Sequence, residues 1–407
     1  MARRSRIGSG LMESRIVIVA NGFSRQNVRL QPWRYLYEIA RRLATRATLT
    51  VLTEGPAEAE EKRWPEGFTV VSTNCLSVRR QELLGRLISG YEATQIWWSV
   101  TPRSIAYRGL LRSLAGDKYA LITCPLYSYR QLFRASRAGV PFDELRALWQ
   151  QRLIPRRAFS RFLGSGIFRK VFVQSEANRE VLLNAAVPES RLALLRVGID
   201  AEDRGRSVPV NDESERVEGA SGSDGKLTVL YFGAVRRIRG YHALVNAFGI
   251  VAGATDNARL RILARGATND ELTRLRAGIE SRGLAGKVDL VGGWLTREQV
   301  WDEIERSDIV ALPFVIVPSD IPIAILEAMA RGKPVVGSPV DGIPELIEGR
   351  GVVADPLDEK ALAGAILSLL RDRKRRVRLG NNARAFMEAY PDWDAVGRHA
   401  LAEAGLA

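Results

Sequence analysis

Two short stretches of this 407-residue chain hold the side chains best suited to chemistry. The first is Gly233-Ala-Val-Arg-Arg-Ile-Arg-Gly240, which places three arginines between a strand-like apolar run and a helical pattern. Arginine so placed grips phosphate through charge-assisted hydrogen bonds, each contributing about 1.5–3 kcal/mol where water is excluded. The second is Pro318-Ser-Asp-Ile-Pro-Ile-Ala-Ile-Leu-Glu-Ala-Met-Ala-Arg-Gly-Lys-Pro-Val-Val336. Its spacing predicts a helix from near Pro322, whose first backbone N–H groups lack intrahelical partners and whose positive end favours anions. Glu327 falls about one and a half turns into that helix, within reach of ligand hydroxyls. Each stretch also has a plainer reading. The first reads as a solvated basic turn, the second as an ordinary amphipathic helix ended by Gly332. Two phosphate-seeking features facing one cleft favour binding over either.

Other chemistries find few residues. The chain has two histidines, His242 and His399, and two cysteines, Cys75 and Cys124. Histidine metal clusters, a four-cysteine zinc site, a disulfide framework and a Ser-His-Asp triad in the first half are thereby excluded, and no metal is expected. No Gly-x-Gly-x-x-Gly follows the first strand and no Gly-Lys-Ser/Thr loop occurs, so hydride transfer and P-loop hydrolysis rank low. Asp392-Trp-Asp394 could pass for a metal-binding carboxylate pair. It lies beyond the last strand, where a helix N-cap is the better reading.

The elements that must position these residues alternate as strand and helix. Arg15–Phe23, Thr48–Thr53, Phe68–Val71, Ala120–Thr123 and Lys170–Gln174 read as strands, with a helix opened by Pro32 among them. After a polar stretch over 201–225 the rhythm restarts with Leu227–Phe232, Leu260–Leu263, Val288–Val291, Ile309–Leu312 and Pro334–Val336, separated by helices over 240–252, 270–282, 297–306 and 322–331. This is an α/β chain of two Rossmann-like, doubly wound parallel-sheet domains facing across a cleft. Ligands sit beyond the carboxyl ends of such strands, so the loops after Val19, Phe232, Ala264, Val291 and Leu312 are expected to face the cleft.

Composition is that of a folded globular protein, with 46% hydrophobic and 26% charged residues. The longest uncharged apolar run, Ile309–Val317, is about half of what a membrane-spanning helix needs. The basic N-terminus lacks the apolar core of a secretory signal, and a cytoplasmic location is expected. Net charge is +14, and residues 76–175 alone hold seventeen Arg and Lys against five Asp and Glu. Within that tract Leu145–Leu163 interleaves arginines with Trp149, Phe159, Phe162 and leucines. Such a stretch fits an anionic membrane surface, or a helix with a core-facing apolar side and a charged outer side. Nucleic acid is the third reading and is not expected.

Together these residues resemble the family 4 retaining glycosyltransferases of the GT-B fold (glycosyl transferases group 1). The resemblance is strongest over about 226–356, through Tyr231-Phe-Gly-Ala, Arg239-Gly240, Ser307-Asp-Ile-Val, Leu326-Glu-Ala-Met-Ala-Arg-Gly-Lys-Pro-Val-Val336 and Gly342-Ile-Pro-Glu345. Val173-Gln-Ser-Glu-Ala-Asn178 through Val197-Gly-Ile-Asp200 is similar to the family's passage between domains. Composition gives a disordered start over 1–14 and a linker or surface loop over 201–225, and the resemblance implies an acceptor-binding domain over 15–200, a nucleotide-sugar-binding domain over 226–385, and a C-terminal helix over 386–407 packing back on the first domain. It implies Arg239 and Glu327 as catalytic residues, on the diphosphate and the ribose respectively. Gly22, Phe23, Gly233, Arg236, Arg237, Ser319, Asp320, Ile323 and Ala324 are then donor-binding. No cofactor is expected, the nucleotide-diphosphate sugar being substrate, and the acceptor is a glycan or lipid-linked precursor. Three positions depart from the family pattern. Ser319 stands in place of a glutamate and Ala234 in place of an arginine, and no histidine precedes residue 242. These departures keep open a second reading, a nucleotide-sugar-binding or partner subunit without transfer.

Overall fold

The computed structural model describes residues 14–407 apart from 125, 127, 201, 203–224 and 318. The start expected over 1–14 and the linker over 201–225 therefore lie outside the described residues, save for Ser14, Glu202 and Gly225.

The first domain is built on eight strands: β1 (Arg15–Val19), β2 (Thr48–Glu54), β3 (Glu60–Arg63), β4 (Thr69–Thr73), β5 (Gln95–Val100), β6 (Asp117–Ile122), β7 (Lys170–Val173) and β8 (Leu192–Leu194). Their order in the sheet is β3-β4-β2-β1-β5-β6-β7-β8, parallel except for β3. The fully exposed Glu-Glu-Lys-Arg sequence of β3 marks it as a charged edge strand, which discourages pairing with another sheet. By contrast β1, β2 and β5 are largely buried, because helices cover both faces of a parallel sheet.

The second domain holds β9 (Leu227–Gly233), β10 (Ala258–Arg265), β11 (Val288–Gly293), β12 (Ile309–Leu312), β13 (Val335–Gly337) and β14 (Gly351–Val353). All are parallel, in the order β11-β10-β9-β12-β13-β14. The chain winds outward from β9 through β10 to β11, then returns to β12 beside β9 and winds the other way. The crevice that ligands use in such sheets opens at this reversal, between β9 and β12.

The last helix, Trp393–Glu403, returns to the first domain. Asp394 pairs with Arg42 at 2.6 Å, Gln95 donates to the Ala404 carbonyl at 2.8 Å, and Glu403 meets Lys170 at 3.1 Å. Asp392 caps the helix by accepting from the Ala395 N–H at 2.7 Å. No helix of the described residues is long and apolar enough to cross a membrane.

Candidate functional site

Strand β9 ends at Gly233, whose φ of +138° few residues other than glycine adopt. A Cβ there would lie 2.6 Å from the Arg239 guanidinium, so the missing side chain is what lets Arg239 fold back over the strand end. A single 3-10 turn, Arg237–Arg239, leads into Gly240 at φ +76° and then the helix Tyr241–Ala254. A Cβ on Gly240 would lie 1.8 Å from the Pro313 carbonyl oxygen. Only glycine fits there. The Arg239 guanidinium carbon stands 4.9 Å from the Phe314 ring centroid, a cation–π contact, and its Nε is buried with no hydrogen-bond partner among the described residues. Tyr231 lies beside it. Burial pushes that phenol up to about 12 while Arg239 pulls the other way, and its hydroxyl donates to the Ala234 carbonyl at 2.8 Å.

The neighbouring strand β12 supplies the second half of the site. The Val315 and Ile316 N–H groups both donate to the Ile238 carbonyl, at 2.9 and 3.2 Å, which laces the loop after β12 to the arginine turn. That loop feeds the helix Ile323–Ala330, whose N-cap, Pro322, makes no side-chain cap. The Ile325 N–H turns back to the Pro322 carbonyl at 3.1 Å, whereas those of Ile323 and Ala324 have no intrahelical acceptor. Ile323, Ala324 and Glu327 form the half-buried stripe of a helix that is otherwise buried up to Ala330. The spacing i, i+1, i+4 brings two amides and a carboxylate to one open face. Arg239, Gly233, Ile323, Ala324 and Glu327 thus all belong to the carboxyl ends of two adjacent strands.

The remaining expected donor residues lie elsewhere. Arg236 approaches Glu144 of the first domain at 3.8 Å. The Arg237 N–H donates to Glu144 at 3.1 Å, and its guanidinium reaches the Gly139 carbonyl at 3.3 Å. Glu144 also accepts from the Ile238 N–H at 3.0 Å, so one carboxylate secures the whole turn. Nothing in the local sequence marks this role, because Glu144 is 94 residues away from Ile238. Ser319 is 6% exposed and Asp320 1% exposed. Both Asp320 carboxylate oxygens accept from the Ser175 hydroxyl, at 2.8 and 2.7 Å, across the domain junction. Burial pushes the Asp320 carboxyl up to about 7, against the pull of that hydrogen bond. Asp341 beside it is pushed up to about 8 by burial and by the charge of Asp320.

In the first domain Gly22 takes φ +72° over the Trp33 indole. The Phe23 side chain is buried and stacks on Trp64 at 5.3 Å between ring centroids, and its N–H donates to the Thr53 hydroxyl at 2.9 Å. What this loop can offer a ligand is therefore backbone at Gly22. The apolar residues of the 145–163 tract also turn inward. Phe159, Phe162 and Leu163 join the core of the first domain, while Leu145 and Leu148 pack against Ile238, Val315 and Ile316 of the second. Across residues 129–153 the large side chains Tyr129, Phe133, Phe142 and Leu153 are exposed. Lys333, the one lysine near the site helix, is buried and donates to the Glu305 and Ser307 carbonyls, each at 2.7 Å. Among the described residues no three His, Cys, Asp or Glu side chains converge as metal ligands do.

Residues 213–386 match the family model described as glycosyl transferases group 1. Among curated proteins, the chain is 25% identical over 253 residues to the alpha-D-kanosaminyltransferase of Streptomyces kanamyceticus, covering 62% of this chain and 61% of that one. It is 28% identical over 247 residues to a GDP-mannose-dependent alpha-(1-6)-phosphatidylinositol monomannoside mannosyltransferase of Mycobacterium tuberculosis, covering 59% and 62%. The matches thus span about three fifths of these relatives. Among solved structures, a glycosyltransferase from Rickettsia africae superposes with a TM-score of 0.69 at 15% identity, over 97% of this chain and 99% of that one. Anabaena HepE in complex with UDP gives 0.67 at 16%, over 96% and 99%. The fold is GT-B.

Proposed function

We propose, from the match of residues 213–386 to the glycosyl transferases group 1 model, that this chain transfers a hexose-type sugar from a nucleotide-sugar donor to a lipid-linked or polysaccharide-precursor acceptor, with retention at the anomeric carbon. The observation that carries this reading is the shared position of Arg239 and the open amides of Ile323 and Ala324 at the β9–β12 reversal. A diphosphate leaving there is met by one fixed guanidinium and one helix terminus, both in place before the charge develops. In this reading Glu327, on the same stripe, accepts hydrogen bonds from the ribose hydroxyls. Departure of the nucleoside diphosphate leaves an oxocarbenium-like sugar, and the leaving phosphate takes the proton of the attacking hydroxyl on the same face. The exposed Phe133, Phe142 and Leu153 beside the arginines of residues 76–175 support work at the inner face of a membrane, where lipid-linked acceptors reside.

A panel of UDP- and GDP-sugars, assayed for nucleotide release with lipid extracts and glycans as acceptors, tests the proposal. Release is expected with the wild type, lowered about a hundredfold in Arg239→Ala. Full release by both Arg239→Ala and Glu327→Ala would exclude this site. The second reading, a binding subunit, draws on the burial of Ser319 and on the engagement of Asp320 by Ser175. Tight nucleotide binding without release on any acceptor favours it.

A further inference from the structure

On the far side of the arginine turn, a cavity of about 680 Å³ opens between the helix Tyr129–Arg137 of the first domain and the helix Tyr241–Ala254 of the second. Arg130, Arg134, Arg137 and Arg237 line it, with Glu359 as the one lining carboxylate. Two of the arginines are occupied: Arg134 pairs with Asp355, and Arg237 holds the Gly139 carbonyl. Glu359 accepts from the Asn246 side chain at 2.6 Å. Arg130 and Arg137, both exposed, make no side-chain hydrogen bond or ion pair with any described residue. His242 also lines the cavity, and its Nδ1 is buried without a partner. Burial, then the charge of Arg237, lowers this imidazole to about 4, so it stays neutral beside the guanidinium groups.

This is not the crevice described above. The helix Tyr241–Ala254 crosses from β9 outward to β10, whereas Ile323–Ala330 crosses from β12 the other way to β13. Right-handed crossovers in opposite directions place the two helices on opposite faces of the sheet. The first packs against Glu359–Arg371, the second against Arg373–Ala389.

We infer that this cavity binds an organic phosphate ester. Several guanidinium groups around one space, two of them without a counter-charge, match a tetrahedral anion with several acceptor oxygens better than a single carboxylate. The volume falls within the range of small-molecule sites. Phe133, 57% exposed at the cavity wall, offers an apolar surface to the group that the phosphate carries. Because the lining comes from both domains, occupancy stabilises the arrangement in which they meet. The phosphate ester has two sources, a soluble metabolite or a lipid headgroup. The inference does not rest on the transferase reading, since a chain without transfer activity binds the anion equally well.

The test uses the full chain, the double variant Arg130→Gln/Arg137→Gln and the single variant Arg239→Ala. Each is titrated calorimetrically with glycerol 3-phosphate and floated with phosphatidylcholine vesicles, with and without phosphatidic acid. In at least one arm the wild type and Arg239→Ala are expected to bind alike and the double variant at least tenfold more weakly. Loss confined to the glycerol 3-phosphate arm identifies a soluble ester, and loss confined to the phosphatidic acid arm identifies a lipid headgroup. No binding by the wild type in either arm overturns the inference. So does wild-type affinity in the double variant, or loss in Arg239→Ala alone.

Discussion

Both sheets reverse their winding once, the first between β1 and β5 and the second between β9 and β12, yet the two reversals are furnished in opposite ways. After β1 the chain turns Phe23 into a cluster of rings with Trp64 and Phe68 and spends its N–H on Thr53, so this residue's ring and amide are already engaged. After β9 a glycine makes room for a guanidinium, and after β12 a helix begins without a side-chain cap. At the first reversal the Phe23 amide and ring are engaged by other residues, whereas at the second the Arg239 Nε and the Ile323 and Ala324 amides have no hydrogen-bond partner among the described residues. The fold supplies two such reversals, and local sequence furnishes them differently.

The sharpest way to break this contrast is to fill the space that the second reversal depends on. Gly240→Ala forces a Cβ against the Pro313 backbone in a left-handed conformation, with no flexible side chain to yield. A loss of about 3 kcal/mol in chemical denaturation is expected, together with loss of nucleotide binding. Next comes Arg239→Ala, which leaves the fold intact and lowers kcat/KM about a hundredfold. Glu327→Gln keeps the shape but removes the charge, and an approximately tenfold weaker nucleotide affinity is expected from calorimetry. An equal loss on Thr53→Ala, which frees the Phe23 N–H in the first domain, would erase the distinction between the two reversals.

The smallest effect concerns the junction between the domains. Asp320 and Asp341 hold their protons in the folded chain at pH values where the unfolded chain has released them. Their contribution to stability is therefore whole below about pH 4 and is lost as pH rises through about 7 and then about 8. Thermal unfolding followed from pH 5 to 9 is expected to show a falling Tm, with a shallower fall in Asp341→Asn. Asparagine tolerates the φ of +48° at that position.

The second domain is the more legible in sequence, because its site is written in local order. Strand, arginine turn and helix follow one another at 227–254, and strand, loop and helix at 309–330. The helix expected over 322–331 is Ile323–Ala330, and Arg297–Arg306 matches its expected bounds. The first domain hides more. Strand β3 is all charged, so no apolar alternation marks it. Gln95-Ile-Trp-Trp-Ser-Val100 has the composition of a buried strand but neither the turn signals nor the alternation that would single it out. The partners of Arg237 and Asp320, namely Glu144 and Ser175, lie 93 and 145 residues away in sequence. A motif reports what its own segment offers, whereas these side chains are claimed by elements that only the folded chain brings near.

In the proposed site one pyrophosphate is held jointly by Arg239 and the first amides of the helix Ile323–Ala330. Calorimetric titration of UDP and GDP into the wild type and Arg239→Ala tests it most directly. At least one nucleotide is expected to bind the wild type, and to bind the variant tenfold or more weakly. Equal affinity in the two proteins would contradict it.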